Sequence, residues 1–129
     1  MTIQELCDSK GVELCYFDGS VWHSDGFYNP TMNVLALDIN LSDIDKKRVA
    51  LHELGHLGHD RNQYLRRREQ FELQADRNMI HHLIKEELAN QESSESFNYL
   101  AFMEKYKLKT IANETMVKEE YLNIIKDLN

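Results

Sequence analysis

The chain has 129 residues, 42% of them hydrophobic and 29% charged, and a net charge of −7. That length is one domain's worth, able to bury a core without staples. The acidic balance argues against a general nucleic-acid binder, and no apolar run approaches membrane-spanning length.

From the N-terminus, Thr2-Ile3-Gln4-Glu5 is a capping box opening a short acidic helix that Gly11 stops. This start has no apolar h-region, so no secretory signal is read. Cys7 and Cys15, the only cysteines, form no CxxC, which suits a reduced, cytoplasmic setting. Val12–Phe17 has strand character, and Asp18-Gly19 predicts a turn. Asp25-Gly26 begins a second extended piece through Phe27 and Tyr28, and Asn29-Pro30-Thr31-Met32 reads as a turn. Asn33–Ile39, with Val34, Leu35, Leu37 and Ile39, is the strongest strand, expected to form a hairpin with Phe27–Tyr28.

Ser42, with Asp45 three residues on, is an Asp variant of the capping box and starts the next helix. Ile44, Val49, Leu51, Leu54 and Leu57 give it apolar flanks. Gly55 lowers its helix propensity by roughly 1 kcal/mol, and a small residue there allows another backbone to approach. The loop around Asp60–Tyr64 reverses the chain. A long helix follows from about Tyr64 to Leu88, with Phe71, Ala75, Met79 and Leu83 on its core face. Residues 90–96 are polar and loop-like. Phe97–Tyr106 and roughly Thr115–Leu128 read as two amphipathic helices, the second with a packing stripe of Val117, Tyr121, Ile124, Ile125 and Leu128. The expected fold is α+β: a sheet of about three strands with a hairpin, packed on the helix that Ser42 opens, then the second long helix and two C-terminal helices. One domain spans 1–129, with a core at about 11–89 and a helical tail at about 97–129.

The chemistry is concentrated at His52-Glu53-Leu54-Gly55-His56, an HExxH run. Positions i and i+4 of a helix lie one above the other, so two imidazoles can converge on one zinc ion. Glu53 stands about 100° round the helix, placed to act as general base on water at the metal. A catalytic zinc takes three protein ligands and keeps one position open. The metzincin extension HExxHxxGxxH fails, because His59 and Asn62 hold its Gly and last His positions. The gluzincin pattern ExxxD fits Glu72-Leu73-Gln74-Ala75-Asp76. Glu72 then completes the ligand set, and Asp76, one turn on, could accept the free N–H of a ligand histidine. His59 lies too far along the axis to join the same tetrahedron and is expected at the rim. His81 and His82, about 15 Å along the second helix, are expected to be surface or packing residues. The competing reading makes His52 and His56 surface histidines, with Glu72 and Asp76 in an ion-pair face with Arg67, Arg68 and Arg77. The basic clusters Lys46-Lys47-Arg48 and Arg66-Arg67-Arg68 read as solvated helix flanks.

A strand pair, a His-Glu-Leu-Gly-His helix and an ExxxD helix together resemble the ImmA/IrrE family of small zinc metallopeptidases, over roughly residues 11–89. The resemblance implies zinc ligands His52, His56 and Glu72 and the catalytic base Glu53. It also implies a cytoplasmic, phage or mobile-element protein that cleaves a repressor-type transcription regulator. Asp76 stands where the family often has Asn. Asp60 stands where the family often has a His four residues after the second ligand, and His59 is one residue early. His59, Tyr64 and Tyr28 are candidates for stabilising an oxyanion.

Two functions follow as expectations. The first is a zinc endopeptidase acting as a monomer on one protein, with no direct nucleic-acid or membrane contact. The second is a zinc-stabilised, non-catalytic antirepressor that sequesters a regulator; intact Glu53 favours the enzyme. A purely structural zinc site would need a fourth protein ligand. The edge of strand Asn33–Ile39, which leads into the HExxH helix, is the expected docking place for an extended peptide.

Overall fold

In the computed structural model, which describes residues 1–59, 63–90 and 97–128, helix α1 (Ile3–Ser9) starts at the capping box read from the sequence. Glu5 N–H donates to Thr2 Oγ1 at 3.0 Å and Thr2 N–H donates to Glu5 Oε1 at 3.3 Å. Leu6 and Cys7 are buried. Gly11 takes φ +68, turning the chain into strand β1 (Glu13–Phe17). Where Asp18-Gly19 predicts a turn, a one-turn helix α2 (Gly19–Trp22) forms instead. Asp18 Oδ1 caps it by accepting from Ser20 N–H and hydroxyl at 3.0 and 2.6 Å. The buried Asp38 carboxylate accepts Gly19 N–H at 2.9 Å. A Cβ on Gly19 would sit 2.2 Å from Asp38 Oδ2, so only glycine allows this approach.

Strands β2 (Gly26–Asn29) and β3 (Val34–Asp38) form the expected hairpin, with Tyr28 opposite Leu35 and Phe27 opposite Ala36. Asn29 Oδ1 makes its turn by accepting from Thr31 N–H and Met32 N–H at 3.0 and 3.1 Å. β1 lies parallel to β3 with Leu14 opposite Leu35, giving the order β1-β3-β2. The edge of β3 is therefore not open to a peptide, contrary to expectation. It is the central strand, and Leu35 to Asp38 are all buried. β2 is the edge on the hairpin side.

Ser42 caps helix α3 (Asp43–Leu54), accepting Asp45 N–H at 3.1 Å. α3 packs on β3 and β2, burying Ala50, Leu51 and Leu54 and leaving Ile44 exposed. The helix stops one residue short of Gly55, inside the HExxH run. His56 N–H bonds to Glu53 O at 3.1 Å, so His56 is carried by a tightened terminal turn rather than by regular helix. Gly58 follows at φ +84. Positions 60–62, including Asp60 and Asn62 and most of the predicted reversal, lie outside the described residues.

Helix α4 (Tyr64–Ala89) leaves helical geometry at Arg67 (φ −121, ψ 22). The chain groups into two compact units, Met1–Ala75 and Asp76–Asn129. The first holds the sheet, α1 to α3 and the start of α4, with Phe71 and Ala75 buried. The second holds the rest of α4 with α5 (Tyr99–Lys105) and α6 (Ile111–Leu128). Its interior includes Ile80, Leu83, Ile84, Phe102 and Val117, and Ile124 of the predicted stripe is buried too. The side chain of Leu128, and 91–96 of the polar segment, lie outside the described residues. α6 starts four residues before Thr115 because Thr110 Oγ1 accepts Asn113 N–H at 3.0 Å, a cap that the apolar stripe does not reveal. No described helix is long and apolar enough to cross a membrane.

Candidate metal centre

Three elements of the first unit supply the predicted ligands. The last turn of α3 carries His52, the tightened turn after it carries His56, and α4 carries Glu72. α4 comes close because Gly55 has no side chain: a Cβ there would lie 2.8 Å from Ala75 Cα. This contact sets Glu72, nearly one turn before Ala75, beside the histidines. His52 Nε2 lies 3.0 Å from Glu72 Oε2, and His56 Nε2 lies 3.4 Å from Glu72 Oε1. The imidazoles stand edge to face with centroids 5.1 Å apart.

These residues fit zinc. Donors about 2.0 Å from a tetrahedral zinc are about 3.3 Å from one another, and the two nitrogen–oxygen distances bracket that spacing. One ligand atom from each of His52, His56 and Glu72 falls within 4.8 Å of the others, the one such group among the described residues. Two imidazoles and a carboxylate are a zinc-type donor set, and three donors leave a position open.

The triad lines a cleft of about 580 Å³ together with Phe27, Tyr28, Asn29, Pro30, Glu53, Gly58 and His59. Burial there holds the Glu53 carboxyl above its ordinary range. His52 and the Tyr28 backbone N–H, which bonds the carboxylate, pull it down, and Glu72 pushes it up. A cation at the triad would favour the carboxylate form. Glu53 thus lines the same cleft as the three candidate ligands, its carboxylate bonded by the Tyr28 N–H of the edge strand.

His59 does line the cleft, as a rim residue would, but it also touches the predicted ligand His56. Its Nδ1 lies 3.1 Å from His56 Nδ1, its Nε2 lies 2.8 Å from Gln74 Oε1, and its ring stacks on Phe71 at 4.1 Å. Residue spacing on one helix could not reveal this, because Phe71 and Gln74 come from α4. Of the oxyanion candidates, His59 has both ring nitrogens occupied, and the Tyr28 hydroxyl donates to Asn33 Oδ1 at 2.6 Å. The Tyr64 side chain lies outside the described residues. Asp76 follows Glu72 by one turn of α4 and opens the second unit. In that unit His81 Nδ1 lies 2.9 Å from Glu120 Oε2. Arg77, which the competing reading places in an ion-pair face with Glu72, bonds Glu119 and Glu120 at 3.3 and 2.8 Å.

No curated protein and no solved structure matches the chain. A family model does, that of peptidase M78, described as the IrrE N-terminal-like domain, over residues 7–122. That span takes in the sheet, the HExxH turn, the ExxxD helix and most of the C-terminal helices, so the chain belongs to the M78 family of IrrE N-terminal-like, metallopeptidase-type domains.

Proposed function

We propose that the protein is a zinc-dependent endopeptidase that cuts one cytoplasmic regulator, a helix-turn-helix repressor of a phage or mobile element. The observation that carries this reading is Glu53, a carboxylate lining the same cleft as a three-donor metal triad. A structural zinc site has no physical need for it. Zinc held by His52, His56 and Glu72 would supply Lewis acidity to the scissile carbonyl and to water. Glu53 takes the proton from water as its oxygen adds to the carbonyl carbon. It then delivers that proton to the leaving nitrogen as the C–N bond breaks.

With β3 in the middle of the sheet, the docking strand of this proposal is β2. An extended peptide laid along the outer edge of β2, beside the Tyr28 N–H that bonds Glu53, would cross the cleft that Phe27, Tyr28 and Asn29 line. Main-chain pairing carries little sequence information, so selectivity comes from contacts that present one partner. Cleavage in or beside the repressor's interdomain linker is the expected outcome. The test incubates the protein with the repressor encoded beside it and with casein, with and without a zinc chelator, and maps fragments by mass spectrometry. Chelator-sensitive cutting of the repressor alone supports the proposal. Casein digested as fast removes the specificity. An uncut repressor that still binds the protein favours the antirepressor.

A further inference from the structure

We infer that His59 is a positioning residue for the ligand His56: together with Gln74 it fixes the ring tautomer that leaves the His56 Nε2 lone pair free for metal. The inference rests on the zinc reading above and adds to it a role for two residues outside the ligand set.

His56 turns Nε2 towards Glu72, at 3.4 Å, and Nδ1 towards His59, at 3.1 Å. It can therefore bind a metal shared with Glu72 only through Nε2. A neutral imidazole carries one proton, so that proton must sit on Nδ1. His56 Nδ1–H then needs an acceptor, and the atom facing it is His59 Nδ1. To accept there, neutral His59 must carry its own proton on Nε2. Nε2–H needs an acceptor in turn, and Gln74 Oε1 stands 2.8 Å away. The chain of donors runs in one direction, from His56 to His59 to Gln74, and ends on an amide oxygen that needs no further partner.

α4 holds this relay still. Phe71 and Gln74 are three residues apart, on one face of the helix. Phe71 stacks on the His59 ring with the planes 9° apart, and Gln74 takes its outer nitrogen. Gly58, at φ +84, turns the chain immediately before His59. An imidazole is thus held by its plane and by both its nitrogens. Ligand histidines are ordinarily oriented by a carboxylate, a carbonyl or water; here a second histidine faces the outer nitrogen of His56.

The test uses the full chain and zinc alone. Zinc affinity is measured by competition with a chromophoric chelator. The His56 tautomer is read from ring 15N shifts in metal-free protein at about pH 8, where imidazoles are mostly neutral. Wild type should show His56 protonated at Nδ1. His59→Phe keeps a ring to stack on Phe71 but has no acceptor. It should keep the thermal midpoint, lose that tautomer preference and bind zinc about 10–100-fold more weakly. Should His59→Phe fail to fold, Gln74 carries the test: Gln74→Glu keeps an acceptor and should bind as wild type does, whereas Gln74→Leu should bind more weakly. Wild-type affinity in His59→Phe, equal affinity in the two Gln74 variants, or His56 protonated at Nε2 in wild type would each overturn the inference. Wild type that binds no zinc at all fails the metal reading instead, and the tautomer still tests the relay.

Discussion

The Cα of Ala75 lies where a side chain on Gly55 would have to go: a Cβ there would meet it at 2.8 Å. Gly55 has ordinary helical angles, φ −66 and ψ −16, so its conformation does not require glycine. The neighbouring backbone does. Two opposed effects decide Gly55→Ala. A less flexible unfolded chain favours alanine by about 0.4–1 kcal/mol, whereas overpacking against backbone costs about 1–3 kcal/mol. The clash should win. Gly55→Ala is expected to unfold at lower urea and to bind zinc more weakly, because Glu72 sits less than one turn from the displaced Ala75. A gain in stability would show that the helices part freely and that their approach does not set the triad.

Zinc content tests the ligands themselves. Purified wild type should hold about one zinc per chain, the expectation for a three-ligand open site. His52→Ala, His56→Ala and Glu72→Ala should each strip most of it, as measured by atomic emission after dialysis. Full occupancy in His56→Ala would remove that residue from the ligand set.

The second unit has its own pH signature. Burial pushes the Glu120 carboxyl up, but the hydrogen bonds and charges of Arg77 and His81 outweigh it and leave it below the ordinary range. A depressed carboxyl adds stability that is complete above the unfolded value, about 4.3, and is lost as pH falls through the lower folded value. The Arg77 and His81 contacts, at 2.8 and 2.9 Å, hold a side chain only 9% exposed. Glu120→Gln should be less stable than wild type at pH 7 in urea melts. The difference should shrink as pH drops below about 4. A constant difference from pH 7 to pH 3 would contradict the assignment.

Much of the candidate site is legible in the chain because its spacing is local. His52, Glu53 and His56 sit within five residues, and Glu72 opens the ExxxD run that follows them. The capping boxes at Thr2 and Ser42 are local as well, and both form. What could not be read depends on distant partners. His59 owes its place to Phe71 and Gln74 on another helix. The Asp18-Gly19 turn becomes α2 because Asp38, nineteen residues on, binds Gly19 N–H. The position of β3 did leave a trace. Val34-Leu35-Ala36-Leu37 is an unbroken apolar run, the mark of a buried inner strand rather than an exposed edge.

Glu53→Gln separates catalysis from sequestration, because it keeps the size and polarity of the side chain and removes only the base. The measurement takes zinc content and cleavage of the cognate repressor from the same wild-type and Glu53→Gln preparations. Both proteins should hold about one zinc and bind the repressor equally, and only wild type should cut it. A Glu53→Gln protein that cuts, or relieves repression as well as wild type does, would contradict the account.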